Sequence, residues 1–475
     1  MPTSVHTVLS ILGPIVFIAV SLIGIRMAFY WWSFLFHWKR YRVLNAISTS
    51  DLQRLDVPFI KVQITTRGSA GSTEVIERGI NNVLALASED PRFYSRVLSV
   101  EVVTESAAQG HILQERFLGS DIPVDALIVP EGYRPPNATM LKARGLHYAV
   151  EQRRNGWNQK LRRTFIVHYD EESVMAPAEM RKLIHCLSLT TKKILEGPIY
   201  YPLEYMDASS LCRAMEANRP IGCYECRHVM ESGAPLHLHG SNLVIEESLE
   251  NDIGWDIGCL DGQPFIAEDY VFGMKAFVKY GKEVFGWHGC VMLEQPPFSV
   301  RSAFKQRYRW IFGVLQGLSA MNTNLIYLSL PRRTRLSLEW GTRFRIGTFA
   351  LGSVAGVLSA LVFPVFLSQA LDYLVAGREA PLMGLGSAWL AFLGAMWLGA
   401  TFIGAWHNLA DSGLDRWNRA AEIALAVLVA PVAGIIESSA ALWAVKDWAL
   451  GKREVAWVPT PKTKQADLAT IESGE

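Results

Sequence analysis

Thr164-Phe165-Ile166-Val167-His168-Tyr169-Asp170-Glu171-Glu172 runs from six mostly apolar residues directly into three acidic ones. The first six are rich in β-branched and aromatic side chains and have the length of a strand, so they predict a buried strand. Asp170 and Glu172 would share one face if the strand geometry continued. Carboxylates in that position can hold Mn²⁺ or Mg²⁺ against phosphate oxygens. The alternative is an acidic turn in which Glu171 and Glu172 are solvated.

Similar short apolar runs recur on both sides of this stretch, with helix-like segments between several of them. The β-rich runs are Phe59–Thr65, Val97–Val103, Ala126–Val129 and Leu243–Ile245, and the helix-like segments include Ser72–Leu86 and Met140–Arg153. Strands that alternate with helices predict an α/β domain with a mostly parallel, Rossmann-like sheet. Ligands of such a sheet bind at the carboxyl ends of its strands.

The composition of the 475-residue chain favours a membrane protein with a large water-soluble part. Half of the residues are hydrophobic and 19% are charged. A net charge of +1 leaves no basic excess to neutralise phosphates, so we expect no nucleic-acid partner. The six cysteines form no closely spaced framework, which indicates reduced thiols in a cytosolic domain.

Four apolar runs are candidates for membrane helices: Val8–Tyr30, Ile346–Val375, Pro381–Trp406 and Ala420–Val445. The first is long enough to cross a hydrocarbon core of ~30 Å. A cleaved signal peptide is the alternative, but the run is too long and lacks a basic start. The basic residues that follow it, among them Lys39 and Arg40, place the next segment in the cytosol.

The last apolar run carries Pro431 and Glu437 in its interior. Three simple spans after a cytosolic domain would put the tail outside, whereas basic residues such as Lys446 and Lys462 favour the inside. We therefore expect the run to be broken or re-entrant at Pro431 and to return to the cytosolic side.

These patterns divide the chain into five parts. We predict an N-terminal transmembrane helix (1–35), a cytosolic catalytic domain (36–300), amphipathic interface helices (301–340), about three hydrophobic segments (341–450) and a polar cytosolic tail (451–475). The protein is thus expected to be an integral membrane protein in contact with membrane lipids, in the plasma membrane if it is bacterial.

A second acidic motif, Glu268-Asp269, follows the short apolar stretch Phe265–Ala267. A carboxylate here could accept a proton from a substrate hydroxyl. The alternative is a helix start, because acidic residues are favoured in the first turn.

Gln306-Arg307-Tyr308-Arg309-Trp310 predicts an amphipathic helix. Gln306, Arg309 and Trp310 fall on one face and apolar residues on the opposite one, as in a helix at a membrane surface. Arg309 could hold a diphosphate, and Trp310 could stack on a sugar. The alternative is a basic helix that only lies on anionic lipid.

Taken in order, these motifs resemble the family 2 glycosyltransferases with a GT-A fold, and more closely the egghead-type β-1,4-mannosyltransferases. The resemblance covers nearly the whole chain after the first span. The matching stretches are Gln63–Gly68, Glu101–Glu105, Val129–Tyr133, Val167–Glu172, Ile266–Asp269, Glu294–Phe298, Gln306–Trp310 and the spacing of Pro431 and Glu437. The third acid of the Asp170 motif is Glu172, where many relatives have a second Asp, but the egghead-like group shares this variant.

The resemblance implies a role for each candidate residue. The nucleoside would contact Thr65, Arg67 and Glu105, and the diphosphate would lie near Lys142 and Arg144. Asp170 and Glu172 would bind Mn²⁺ or Mg²⁺, and Asp269 would be the general base, supported by Glu268. Gln306, Arg309 and Trp310 would close over donor and acceptor, and Gly240-Ser241-Asn242, with Trp310, would lie on the acceptor side.

The resemblance also implies the reaction. The expected activity is an inverting transfer of a hexose from GDP-mannose or a UDP-hexose, with mannose in a β-1,4 linkage favoured, to a lipid-linked or membrane-proximal glycan acceptor. The alternatives are a processive polysaccharide synthase that uses UDP-glucose or a similar donor and, more remotely, a catalytically silent membrane scaffold.

One motif stands outside this resemblance. Cys223 and Cys226 have the x₂ spacing of a zinc site, and His237 and His239 follow. Ordinary packing of the two cysteines is the alternative, because the spacing of the histidines is imperfect.

Overall fold

The computed structural model describes residues 3–41, 47–69, 71–155, 162–232, 238–323, 325–377, 385–455 and 460–472. The helices in these ranges are α1 (Thr3–Tyr41), α2 (Thr49–Leu52), α3 (Ser72–Leu84), α4 (Pro91–Val97), α5 (Ala107–Arg116), α6 (Leu141–Asn155), α7 (Pro177–Leu189), α8 (Ser210–Ala217), α9 (Arg219–Ser232), α10 (Glu247–Ile253), α11 (Glu268–Tyr280), α12 (Val300–Thr323), α13 (Leu325–Leu328), α14 (Arg332–Ala376), α15 (Leu385–Asn408), α16 (Arg416–Ala449) and α17 (Lys464–Glu472). The strands are β1 (Phe59–Thr66), β2 (Leu98–Thr104), β3 (Val124–Ile128), β4 (Thr164–Tyr169), β5 (Ile194–Glu196), β6 (Ile199–Tyr200), β7 (Leu243–Glu246), β8 (Cys259–Leu260), β9 (Gln263–Pro264), β10 (Phe285–Trp287) and β11 (Met292–Leu293).

A seven-stranded, mostly parallel sheet forms the centre of the domain, in the order β3-β2-β1-β4-β7-β5-β10. Neighbouring strands from β3 to β4 are parallel, and β7 is antiparallel to both β4 and β5. Val62 in β1 pairs with Val100 in β2 and Val167 in β4, so three of the predicted strands lie side by side. The predicted fold class, an α/β domain with a mostly parallel sheet, is confirmed.

Side chains that alternate along β1 show how helices cover the two faces of the sheet. Ile60, Val62 and Ile64 are buried on one face, where Ile76 and Ile80 of α3 pack in the same core. Complete burial of each such side chain contributes about 1.5–3 kcal/mol. Because alternate residues point to opposite faces, the remaining positions face α6, and the carboxyl ends of β1, β2 and β4 meet at one edge.

Four helices are long and apolar enough to cross a membrane by length and composition: Leu12–Phe36, Arg332–Leu361, Ala388–Asn408 and Arg416–Ala449. They correspond to the four apolar runs predicted from the sequence. Their buried fraction is low, so most of their apolar surface faces outward, as a lipid environment requires.

The predicted break at Pro431 is wrong. The α16 helix is continuous through Pro431 over 34 residues. Proline is tolerated inside such helices when neighbouring helices and local adjustments compensate for the lost hydrogen bond.

The α16 helix also contacts α8 and α12 near its two ends. Glu422 accepts from Arg213 of α8 at 2.8 Å, and the Tyr308 hydroxyl of α12 donates to Asp447 at 2.9 Å. These two acids are about 38 Å apart along the helix axis. On its other side, α16 packs closely against α14, where a Cβ added at Gly352 would lie 2.5 Å from Ser438 Oγ. The α16 helix therefore lies between α14 on one side and α8 and α12 on the other.

Candidate functional site

A cavity of about 1430 Å³ opens at the carboxyl edge of the sheet and continues between the apolar helices. One end is lined by the loops that follow β1, β2 and β4, and the other by α1, α14, α15 and α16. The predicted site residues that line it are Thr65, Arg67, Glu105, Lys142, Asp170, Glu172, Gly240, Ser241, Glu268, Asp269, Gln306, Arg309 and Trp310. Residues from seven separate stretches of the chain are thus brought into one space.

The acidic motif after β4 is held by two lysines. Asp170 forms an ion pair with Lys142 of α6, and Glu172 forms one with Lys462 of the C-terminal tail. Glu171 also lines the cavity; its carboxylate accepts from the Thr66 hydroxyl and lies 3.6 Å from Lys462 Nζ. The side chains of Glu171 and Glu172 are only 11% and 12% exposed, so the interpretation of a solvated acidic turn is wrong.

Lys142 connects the acidic motif to the loop Gly240-Ser241-Asn242. Its ammonium group also donates to the carbonyl of Gly240 at 3.0 Å. Burial alone would lower the pKa of Lys142, but the charges of Asp170 and Glu268 outweigh it and raise the pKa. The preceding residue, Leu141, has a φ of 59°, which is strained for a β-carbon-bearing residue and places Lys142 at the start of α6 beside the cavity.

Glu268 and Asp269 begin α11, so the helix-start interpretation is confirmed, and both side chains also line the same cavity. A Cβ added at Gly240 would lie 3.6 Å from Asp269 Oδ2 and 3.9 Å from Glu268 Oε1. Burial, and then the neighbouring charge of Glu268, raise the pKa of Asp269 to about 8, while Lys142 opposes the shift. Asp269 therefore has the proton affinity that suits a base working near neutral pH.

The raised pKa of Asp269 predicts a pH profile. If its deprotonated form is the base, kcat/KM should rise with pH and level off above about 8, because protonation below that value removes the base. Glu268→Gln removes the neighbouring negative charge, so the rising limb should move to lower pH. Initial rates of transfer at several pH values would measure both curves, and an unchanged midpoint in Glu268→Gln would contradict the assignment.

Glu105 lies between two arginines at the end of β2. It accepts from Arg144 Nη1 at 2.6 Å and lies 3.4 Å from Arg67 Nε. Arg144 does not line the cavity and also donates to the carbonyl of Pro130 at 2.7 Å. Its position therefore indicates that it orients Glu105, whereas the implied diphosphate contact would have required it to face the cavity.

The α12 helix presents Gln306, Arg309 and Trp310 to the cavity, as the helical arrangement predicted. Close packing on α11 makes this possible, because a Cβ added at Gly313 would lie 2.7 Å from the backbone nitrogen of Ala267. Arg309 donates to the Thr460 hydroxyl at 3.0 Å, and burial lowers its pKa to about 10, so it stays charged at neutral pH.

The Trp310 ring lies against two arginines. The guanidinium carbons of Arg219 and Arg307 are 4.8 Å and 4.6 Å from its centroid. Both arginines also pair with Glu437 of α16, at 3.1 Å in each case. Trp310 is thus fixed by a network that joins α9, α12 and α16.

The structure corrects one acceptor-side residue. Asn242 is fully buried and does not line the cavity. Its side-chain amide donates to the carbonyls of Pro198 and Cys290, at 2.9 Å each. A residue with a φ of 54° and two such bonds shapes the loop, and only Gly240 and Ser241 reach the cavity.

Sequence reasoning missed several residues at this site. Lys462 and Thr460 come from the tail, whose lysines served only to indicate topology. Glu294 lines the cavity and accepts from Ser173 at 3.0 Å, and burial followed by the charges of Asp170 and Glu172 raises its pKa to about 8. Glu294 belongs to Glu294–Phe298, one of the stretches that resemble the family. That stretch does not indicate that Glu294 would lie beside the acidic motif that follows β4.

Asp170 and Glu172 are chemically suited to a hard divalent cation. Both offer carboxylate oxygens on the cavity wall, and Mg²⁺ in such sites takes one or two protein carboxylates and completes its shell with substrate phosphates. Within the described ranges, they are not part of a group of three metal-ligating side chains. The residues therefore fit a metal that is bound together with a diphosphate.

A carboxylate pair at a strand end, a partly buried candidate base and a cavity that continues between long apolar helices are consistent with a glycosyltransferase. Residues 165–404, just over half of the 475 residues, match the family model of glycosyl transferase family group 2, and the chain belongs to that family.

Curated relatives agree with the resemblance seen in the sequence. The chain is similar to β-1,4-mannosyltransferase egh of Drosophila melanogaster, with 27% identity over 263 residues, which is 54% of this chain and 52% of the relative. It is also similar to β-1,4-mannosyltransferase bre-3 of Caenorhabditis elegans, with 24% identity over 58% of this chain and 56% of the relative. The chain thus spans about half the length of the curated relatives it matches.

Among solved structures, the mannosyltransferase PcManGT from Pyrobaculum calidifontis, in complex with GDP-Man and Mn²⁺, is similar to this chain. The TM-score is 0.41 at 14% identity, over 82% of this chain and 99% of that one.

Proposed function

We propose that this glycosyltransferase is a metal-dependent, inverting enzyme that transfers mannose from GDP-mannose, in a β-1,4 linkage, to a lipid-linked acceptor. The observation that carries the proposal is the continuity of one cavity from Asp170 and Asp269 to the apolar space between α1, α14 and α15. The names of the egh and bre-3 relatives support the sugar and the linkage.

The donor would lie at the carboxyl edge of the sheet. Thr65 Oγ1 is buried there without a hydrogen-bond partner among the described residues, so a nucleoside group could satisfy it. Lys142 and Arg309 would contact the diphosphate. A divalent cation held by Asp170 and Glu172 would stabilise the negative charge of the departing diphosphate.

Asp269 would act on the acceptor. Its carboxylate takes the proton from the acceptor hydroxyl as the oxygen attacks the anomeric carbon from the side opposite the diphosphate. The bond from that carbon to the diphosphate oxygen breaks as the new glycosidic bond forms, so an α-linked donor gives a β-linked product. Gly240 leaves space beside the base, because a larger side chain there would extend toward Lys142 and Asp269.

The apolar end of the cavity would hold the acyl or prenyl chains of the acceptor. Its walls include Val20 and Ile23 of α1, Ala355 of α14 and Leu393 of α15. Burial of a hydrocarbon chain there would contribute about 0.8 kcal/mol for each CH₂ group.

Ala355→Phe should therefore fill part of this space and raise the KM for a lipid-linked acceptor. Hydrolysis of the donor by water should continue, because the substitution is remote from the carboxylates. Val354→Phe is the matched control, since Val354 precedes it on α14, is 40% exposed and does not line the cavity. Equal effects of the two variants on KM would contradict a lipid site between the helices.

The donor is tested by incubating the purified, detergent-solubilised protein with Mn²⁺ and a panel of nucleotide sugars and measuring nucleotide release. We expect release from GDP-mannose. Release from UDP-glucose alone would overturn the proposed donor, and no release from any donor would favour a silent scaffold. The mass of the product distinguishes a single addition from the processive synthesis of a polysaccharide.

We also infer that the catalytic domain and the C-terminal tail lie on the cytosolic side. The contacts of α16 with α8 and α12, and of Lys462 with Glu172, support a common side for the domain and the tail, and the basic residues that follow the first apolar run favour the cytosol for that side. The α1, α14 and α15 helices would then be the spans, and α16 would lie at the interface beneath the domain.

This orientation predicts different protection of the two termini. In sealed inverted vesicles, whose cytosolic face points outward, added protease should remove a C-terminal epitope without detergent. An N-terminal epitope should be removed only after detergent is added. A C-terminal epitope that resists protease until detergent is added would place the tail on the other side.

A further inference from the structure

Three potential metal ligands meet next to the acceptor loop, away from the acidic motif. They are Glu196 at the end of β5, Cys226 on α9 and His239 immediately before Gly240. One ligand atom from each lies within 4.8 Å of the others. They are the only such group of three or more in the described ranges, and their proximity is independent of the proposed function.

The separation of the ligand atoms suits a tetrahedral ion. Cys226 Sγ and His239 Nε2 are 3.3 Å apart. Ligands on zinc at bond lengths of 2.0–2.3 Å are separated by roughly 3.5 Å. A sulfur–imidazole hydrogen bond has a similar length, so the distance by itself does not decide between the two.

Glu196 provides a second observation. It has no exposed surface, and its Oε1 accepts from the backbone nitrogen of His239 at 2.5 Å. Its Oε2 is buried and has no hydrogen-bond partner among the described residues. An unsatisfied buried carboxyl oxygen is costly, and a bound cation would remove that cost.

The surroundings allow a cation. Arg345 approaches Cys226, but Glu225 accepts from both Arg345, at 3.0 Å, and Arg26, at 2.8 Å. The positive charge near the thiol is therefore partly balanced.

We propose that Glu196, Cys226 and His239 bind one zinc ion, whose fourth position faces the cavity. Cys226 and His239 both line that cavity, and three protein ligands with one open position are a common zinc arrangement. Binding releases the thiol proton of Cys226 to solvent and forms a zinc–thiolate bond.

The sequence suggested Cys223 and Cys226 together as zinc ligands, and the structure retains only Cys226 of the two. Cys223 does not belong to the group, because its thiol donates to the carbonyl of Ile199 at 3.5 Å. His237 lies outside the described residues. Glu196, which is 30 residues before Cys226 in the chain, could not be recognised from the spacing of cysteines and histidines.

A zinc ion here would position the acceptor loop. It would tie His239, and hence Gly240, to the sheet through Glu196 and to α9 through Cys226. The α9 helix is in turn held to the membrane helices by the ion pairs of Glu225 with Arg26 and Arg345.

The test is the metal content of the full-length protein, purified in detergent through a peptide-epitope tag and without metal-affinity resin. Elemental analysis should find about one zinc per chain. Cys226→Ala and His239→Ala should each lose most of it. Cys223→Ala, which removes a buried thiol from the same helix, should retain it.

A cobalt experiment on the unaltered protein covers the case in which these variants do not fold. Zinc is removed by dialysis against a chelator and replaced with Co²⁺, which should give a thiolate-to-cobalt absorption band. Absence of zinc together with absence of this band would overturn the proposal, as would zinc retained by Cys226→Ala. Neither readout depends on sugar transfer, so failure here is distinct from failure of the proposed function.

Discussion

Asp269→Asn should abolish sugar transfer while it leaves donor binding largely intact. The amide preserves the size of the side chain, and its oxygen can still accept from the backbone nitrogen of Tyr270, which Asp269 Oδ1 does at 2.7 Å. The variant loses only the ability to take a proton, so we expect a fall in kcat on the order of 10²–10⁴-fold. Transfer of labelled sugar and equilibrium binding of the donor would measure the two effects separately.

A suitable control is Asp261→Asn. Asp261 is exposed in the turn between β8 and β9, and its φ of 51° is one that Asn tolerates well. This variant should transfer sugar at the normal rate. Loss of donor binding together with transfer in Asp269→Asn would remove the assignment of a base and favour a structural role at the start of α11.

Asp170→Ala should have the second large effect, on binding of the donor with its metal. The substitution removes a carboxylate from the cavity wall and leaves the buried Lys142 without its ion-pair partner. We expect the affinity for GDP-mannose in Mn²⁺ to fall on the order of 10–100-fold or more, since even residues behind metal ligands have effects of that size. Isothermal titration of the donor, with and without Mn²⁺, would measure it.

Glu171→Gln is the matched control, because Glu171 is the neighbouring acid and its carboxylate accepts from the Thr66 hydroxyl. Its effect on donor affinity should be much smaller. Excess EDTA should stop transfer, and added Mn²⁺ or Mg²⁺ should restore it. Activity that persists in EDTA would show that the metal role of Asp170 and Glu172 is wrong.

The central strands could be predicted from local pattern alone. Phe59–Thr65 and Thr164–Tyr169 agree with β1 and β4 to within one residue, because a buried strand needs a short, continuous apolar run. The order of acidic and aromatic motifs then indicated the family, which was confirmed. The roles assigned to the individual site residues remain predictions.

Other features depend on partners that no local pattern reveals. Pro431 predicted a break, yet α16 continues because it packs between the catalytic domain and α14. The basic residues of the tail were used only to predict which side of the membrane it lies on. In the structure, Lys462 of the tail pairs with Glu172, which is 290 residues away in the sequence. Asn242 was grouped with Gly240, but its left-handed backbone turns its side chain toward buried carbonyls.

The sequence by itself therefore determined five of the seven strands of the sheet, the apolar helices and the family, because hydrophobic periodicity and short motifs are properties of neighbouring residues. Only the tertiary structure decided how those parts form a site. It placed Lys142 and Lys462 on the acidic motif and buried Asp269 beside Glu268, and it joined the site to an apolar cavity between the helices. The physical reason is that charge pairing, burial and cavity shape arise from contacts between residues that lie far apart in the chain.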